Sequence, residues 1–196
     1  MNSLFQHNQR GKYLVLLVAI ILFGLSFLFN KRYSNRASVT QEVKKLERYL
    51  SSRQKDFNSL LQDTGLVNRL LTKSASRTEY DQVTGQPFGF FLYQQQDFSE
   101  ASMLFWSNQL ITPPPELVTG KDGEYFMQLS NGYYYMIRKT LADNRGIACA
   151  MILVRAKFFI QTDCLPERFA YSSSADKRVL ISRKQTEFPV KTASGI

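Results

Sequence analysis

The chain has 196 residues, 44% of them hydrophobic and 21% charged, so composition excludes a disordered polymer and leaves room for one domain with a real core. The formal net charge is +9. Its Lys and Arg residues are spread along the chain and nowhere combine with the spaced aromatics of an RNA-binding sheet, so no nucleic-acid partner is expected. The only histidine is His7, and Cys149 and Cys164 have no CxxC partner. That excludes a zinc site, which needs about four ligands at set spacings, and no metal or cofactor is expected. Cys149 lies in the apolar run 147–154 and reads as a small buried hydrophobe, although an oxidising compartment would allow a disulfide.

After a short tail, 1–12, residues Tyr13–Phe29 form a run of seventeen without a charge. At ~1.5 Å per residue the run spans ~26 Å, close to a ~30 Å hydrocarbon core. Lys12, Lys31 and Arg32 flank it as snorkelling cations, with Tyr13 and Tyr33 as interfacial anchors. No small-residue cleavage site follows. The expectation is one uncleaved transmembrane helix over 13–32. Charge counting mildly favours a cytoplasmic C-terminal domain.

A juxtamembrane helix is expected over 36–72. Its seam positions are Val39, Val43, Leu46, Leu50, Arg53, Phe57, Leu60, Thr64, Val67 and Leu71, in alternating steps of four and three. A heptad pattern this long indicates a coiled coil or a long amphipathic helix. Val39, Val43, Leu46, Leu50 and Phe57 are the expected seam of a parallel homodimer. Glu42 would then face the partner's Glu47, so salt bridges do not specify the pairing. The apolar stripe widens after Phe57 with Leu61, Leu66 and Leu70, which suits packing on a sheet. Gly65 is a place for a kink or an end.

A polar stretch, 72–86, reads as a loop or short helix. From Pro87 the texture becomes β-rich, with strands expected at Phe88–Gln94, Met103–Asn108, Tyr125–Ser130, Tyr133–Leu141 and Ile147–Ala156. Pro113-Pro114-Pro115 cannot join a ladder and reads as an extended loop. Asn131-Gly132 is a preferred two-residue hairpin turn, and Asn144-Arg145-Gly146 turns the next hairpin. The run Gly146–Val154 is apolar on both faces, which places it centrally in the sheet. Arg178–Arg183 is a further candidate strand, and the end at Ile196 has the look of an interrupted parent chain. The fold class is therefore α+β: a domain over 87–196 with a PAS/Cache-like antiparallel sheet of about five strands, carrying the long helix.

No catalytic constellation is present. The domain has no histidine, no GxxxxGK[ST] and no GxGxxG, so no enzyme activity is expected. For ligand binding the candidates are Trp106, Tyr133 and Tyr135, strand aromatics of the kind that line apolar clefts. The competing reading makes them core and cross-strand pairs.

The order of tail, apolar helix, heptad helix and sheet, with Phe91-Leu92-Tyr93, Leu104-Phe105-Trp106-Ser107-Asn108, Leu129-Ser130-Asn131-Gly132-Tyr133-Tyr134 and Met151-Ile152-Leu153-Val154, resembles the N-terminal sensory region of membrane-bound sensor histidine kinases from Bacteroidetes-type bacteria. The resemblance implies an input module of a two-component system in the bacterial inner membrane, with a periplasmic sensor domain. It also implies a homodimer that signals to a downstream kinase and response regulator. The chain has no second membrane helix, phospho-acceptor histidine or nucleotide motif, so kinase activity does not carry over. The alternative is a single-pass envelope scaffold of a cell-division or secretion complex that senses nothing.

Overall fold

A computed structural model describes residues 3–97, 100–142, 146–158, 160, 167–172, 179–182 and 186–192, with side chains at 3–11, 27–37 and 96–97 outside the description. Two compact units result, 1–42 and 43–196. The first helix, α1 (Ser3–Gln62), contributes to both.

In unit 1 the described side chains of 12–26 are exposed, among them Leu14, Leu17, Ile21 and Phe23. Among the described residues no helix is long and apolar enough to cross a membrane. A spanning helix needs about 20 consecutive, predominantly apolar residues, and the described residues hold no such stretch. Phe27–Arg32, the remainder of the expected span, lie outside the described side chains. The transmembrane helix over 13–32 is therefore corrected. So are the membrane as partner, the single-pass inner-membrane location and the periplasmic placement that rested on it.

Unit 2 is an α+β fold around an open antiparallel sheet. Its strands are β1 (Gly89–Asp97), β2 (Glu100–Trp106), β3 (Gly123–Leu129), β4 (Gly132–Thr140), β5 (Gly146–Ala156) and the two-residue β6 (Arg168–Phe169). The spatial order is β2-β1-β5-β4-β3, with β6 pairing the end of β5. The expected strands sit within a few residues of these bounds, and β5 is central, as its two apolar faces require. Val179–Ser182, the described part of the other candidate strand, form no strand.

One face of the sheet is closed by helices. Leu46, Leu50, Phe57 and Leu60 of α1 join Leu66, Val67 and Leu70 of α2 (Thr64–Leu71) and Val83 of α3 (Arg77–Thr84). Together they bury Phe90, Leu92, Phe105, Tyr135, Ile137, Ala148, Ala150 and Ile152. Phe57 is fully buried, with edge-on contacts to Phe88 and Phe90 at centroid distances of 6.3 and 6.0 Å. This corrects the homodimer seam. Leu46, Leu50 and Phe57 are spent on the chain's own sheet, and Val43 beside them is half-buried. Val39, the remaining seam residue, belongs to unit 1 and is half-buried.

Helix ends follow local chemistry. α1 stops at Gln62, and Asp63 caps α2 by accepting the Leu66 N–H at 2.9 Å. The polar stretch holds α3, which Ser76 and Glu79 start with a reciprocal capping box. The β3–β4 hairpin turns on Ser130-Asn131, one residue earlier than Asn131-Gly132, and Gly132 opens β4. Gly132 has φ +155°, and a Cβ there would meet the Arg155 carbonyl oxygen at 2.4 Å. Only glycine fits that approach.

The other face buries Phe91, Tyr93, Met127, Tyr134, Met136, Ile147, Cys149 and Met151 under Val118, with Ile111 and Leu117 packed alongside. Val118 ends α4 (Pro115–Val118), a single turn inside the proline-bearing loop. Cys149 is a free, buried thiol, and Cys164 lies outside the described residues, as do Asn144 and Arg145 of the second expected turn.

Candidate protein-docking edge

The sequence candidates for a pocket do not come together. Cross-strand partners share a face of the sheet. Tyr135 pairs Ile152 and faces the helices, and Tyr133 packs against the same core. Trp106 pairs Phe91, which belongs to the opposite face, and it stands on β2, at the far edge of the sheet from β3. Burial raises the phenol pKa of Tyr135, and the neighbouring Glu124 carboxylate adds to the shift. That suits a core residue rather than a binding group.

What the structure assembles instead is a patch on β2. The β1–β2 register slips between Leu92 and Tyr93: Leu92 pairs Phe105, whereas Tyr93 pairs Met103. Leu104 is the extra residue of a bulge. In a regular strand, residues three apart point to opposite faces. The bulge cancels that alternation and brings Met103 and Trp106 to one face, beside Tyr93 and Phe91. Both are open to solvent, Met103 at 38% and Trp106 at 48%. Four residues after Trp106, Leu110 is 82% exposed. Its N–H donates to Asn108 Oδ1 at 2.7 Å, which fixes the turn that presents it. Ser107 ties the end of the strand, with its N–H donating to the Phe90 carbonyl at 2.9 Å and its Oγ accepting the Phe90 N–H at 2.8 Å.

β2 is an outer strand, and among the described residues no strand pairs its free side. Trp106 is the chain's one tryptophan. Of these three, Trp106 is a candidate in the sequence, whereas Met103 and Leu110 carry no signal there. Nothing in Glu100–Trp106 encodes the bulge, and without it the two side chains read as facing opposite ways.

Other polar groups are committed to structure. Arg138 is buried on β4 and donates from Nε to the Val118 carbonyl at 2.7 Å. Its Nη1 is bonded to Asp122 and reaches Thr140 Oγ1 at 3.1 Å. Asp122 also accepts the Thr140 N–H at 2.9 Å. This network holds the α4 loop over the sheet. Burial pushes the Cys149 thiol up to about 12, so it is no nucleophile near neutrality. A cleft of about 320 Å³ between α1, α2 and α3 is large enough for a small ligand. Its carboxylates are already occupied, however: Asp63 caps α2, and Asp56 pairs with Arg53 at 3.2 Å. Among the described residues no group of three or more His, Cys, Asp or Glu is placed to hold a metal.

A comparison with protein-family models, curated proteins and solved structures finds no match. The resemblance to sensor-kinase input regions is therefore corrected, together with the kinase and response-regulator partners it implied. The envelope-scaffold alternative loses its single-pass anchor with the span itself.

Proposed function

We propose that this chain is a non-catalytic protein-interaction module that docks a partner along β2. The observation that carries the proposal is the bulge at Leu104, which turns Met103 and Trp106 to one exposed face of an outer strand. Two physical facts support the reading. An outer strand offers a row of main-chain donors and acceptors to an added strand. Exposed Trp and Met beside such a row are the side chains enriched where interfaces concentrate their energy.

Site-specific photocrosslinking in the host cell tests this. A crosslinking residue at Met103 or Leu110 is expected to give a discrete adduct, whereas one at Gln128 on β3, also exposed, gives none. Trp106→Ala is expected to abolish the adduct without changing the unfolding midpoint, through a loss of about 2 kcal/mol in binding. An identical adduct pattern at Gln128, or adducts indifferent to Trp106→Ala, would sink the proposal.

A further inference from the structure

Resting on the docking reading, we infer that Met103 is an oxidation site, and that conversion of its thioether to the sulfoxide by a hydroperoxide switches the β2 edge off. The methionines are unequally placed. Met127, Met136 and Met151 are 7%, 0% and 2% exposed in the core under Val118, whereas Met103 is 38% exposed. Met1 lies outside the described residues. A thioether is oxidised according to the access that an oxidant has to its sulfur. Among the described residues that access is concentrated at one methionine, and that methionine stands in the docking patch.

The reaction needs no catalytic group from the protein. The sulfur lone pair attacks one peroxide oxygen; an S–O bond forms and the O–O bond breaks. The other oxygen leaves and takes up the proton, as water or an alcohol. Sulfur loses two electrons and the hydroperoxide gains them. Among the described residues the one thiol that would compete is out of reach, since Cys149 is buried and burial holds it protonated.

What the added oxygen does follows from the strand register. Met103 pairs Tyr93 and Trp106 pairs Phe91, so these side chains are neighbours on one face of the sheet. Tyr93 and Phe91 are buried, which leaves Met103 and Trp106 as the solvent-facing part of the patch. A sulfoxide there replaces a flexible apolar side chain with a polar, chiral one beside the indole. A partner that covers it must strip water from the new oxygen, a cost that the thioether does not impose. The bulge at Leu104 makes the reactive sulfur and the docking patch coincide. In a regular strand Met103 and Trp106 would lie on opposite faces, and oxidation of one would leave the other's side unchanged.

The test treats the full chain with hydrogen peroxide and follows each methionine by peptide mass mapping. In the folded protein Met103 is expected to gain oxygen at least about tenfold faster than Met127, Met136 and Met151, and the four rates should converge in urea. Because Trp106 is the only tryptophan, its emission should change in step with oxidation of Met103. Treated and untreated chains carrying a crosslinking residue at Leu110 are then irradiated in an extract of the host cell. Oxidation is expected to lower the adduct yield about tenfold. Methionine sulfoxide reductase with a dithiol, which returns the two electrons, should restore it. In Met103→Leu, whatever its own yield, peroxide should change nothing. Oxidation of Met127, Met136 or Met151 as fast as Met103 in the folded chain would overturn the assignment of the site. Selective oxidation of Met103 with an undiminished Leu110 adduct would overturn the switch and leave the docking edge standing. No Leu110 adduct from either form would overturn the docking reading and the switch with it.

Discussion

On the face that meets α1, the sheet is closed by apolar side chains from three helices; on the opposite face it is closed by an irregular loop tied down by one buried guanidinium. The same five strands serve both. β5 shows the division residue by residue: Ala148 and Ala150 face the helices, leaving room for α1, while Ile147, Cys149 and Met151 face the loop. The helix face derives its stability from area removed from water, spread over many side chains. The loop face has less secondary structure to offer and depends on a few directional bonds. Failure should therefore be global on the first face and local on the second.

The largest effect is expected from Phe57→Ala. Phe57 is fully buried between α1 and the sheet, and truncation removes a large apolar surface and leaves a cavity, at a cost of about 3–5 kcal/mol. Urea denaturation followed by circular dichroism would show a lower midpoint with an unchanged slope. A loss under about 1 kcal/mol would mean that α1 is not integral to this core.

Arg138→Met is expected to cost less, about 2 kcal/mol, and to act elsewhere. It strands the Val118 carbonyl, but Asp122 is half-exposed and keeps its bonds from Thr140. Solvent screening discounts the lost ion pair accordingly. Hydrogen exchange should rise in 107–122 and leave 46–60 protected. Uniform acceleration across both segments would erase the contrast between the faces.

That contrast also governs what could be read from the residues. The four-three spacing from Val43 to Leu60 specified an apolar stripe on a helix, and the stripe exists. Periodicity says that one face is buried but not what covers it, so a seam for a second chain and a seam for the chain's own sheet look alike. β5 was legible because an apolar run on both faces has only a central place to go. Ser76 and Glu79 spell a capping box, a local signal that separates helix from linker within 72–86. The docking edge was not legible. A bulge depends on how two strands settle against each other, and it alone decides that Met103 and Trp106 share a side. Arg138 was equally hidden, since its partners Val118 and Asp122 come from a loop whose path no pattern announces.

A subtler test of the loop face uses Cys149, in a Cys164→Ser background so that one thiol is observed. Its pKa rises from 9.0 to about 12, chiefly by burial. The folded state thus holds the thiol neutral while the unfolded chain ionises. The stabilisation is complete below pH ~9 and is lost as pH climbs from there toward 12, by roughly 1–2 kcal/mol near pH 10.5. Tyr93, raised by burial and by the nearby thiol, steepens the same limb. Cys149→Ala is expected to flatten the fall in urea midpoint between pH 9 and 10.5. Parallel curves for the two proteins would show that solvent already reaches the thiol under the loop.

The smallest effect is expected back on the helix face, at a strongly shifted carboxylate near the surface. Glu79 is held down to about 2, first by its hydrogen bond from Arg69, then by the Ser76 N–H and hydroxyl. A lowered folded pKa means that the contribution is present above the unfolded value of 4.5 and disappears as pH falls from there toward 2. The pair stands at the surface, with Arg69 exposed and Glu79 partly so, and salt therefore screens it and the change is slight. Glu79→Gln keeps an oxygen for the Ser76 N–H but removes the charge. It should leave the melting temperature at pH 7 nearly unchanged in 0.5 M salt, a condition of about 4 Å screening length, and make the acid limb between pH 4.5 and 2 shallower. If the acid limb keeps its slope in the variant, the acid response of this face comes from other carboxylates, and the α2–α3 connection is held by its apolar contacts alone.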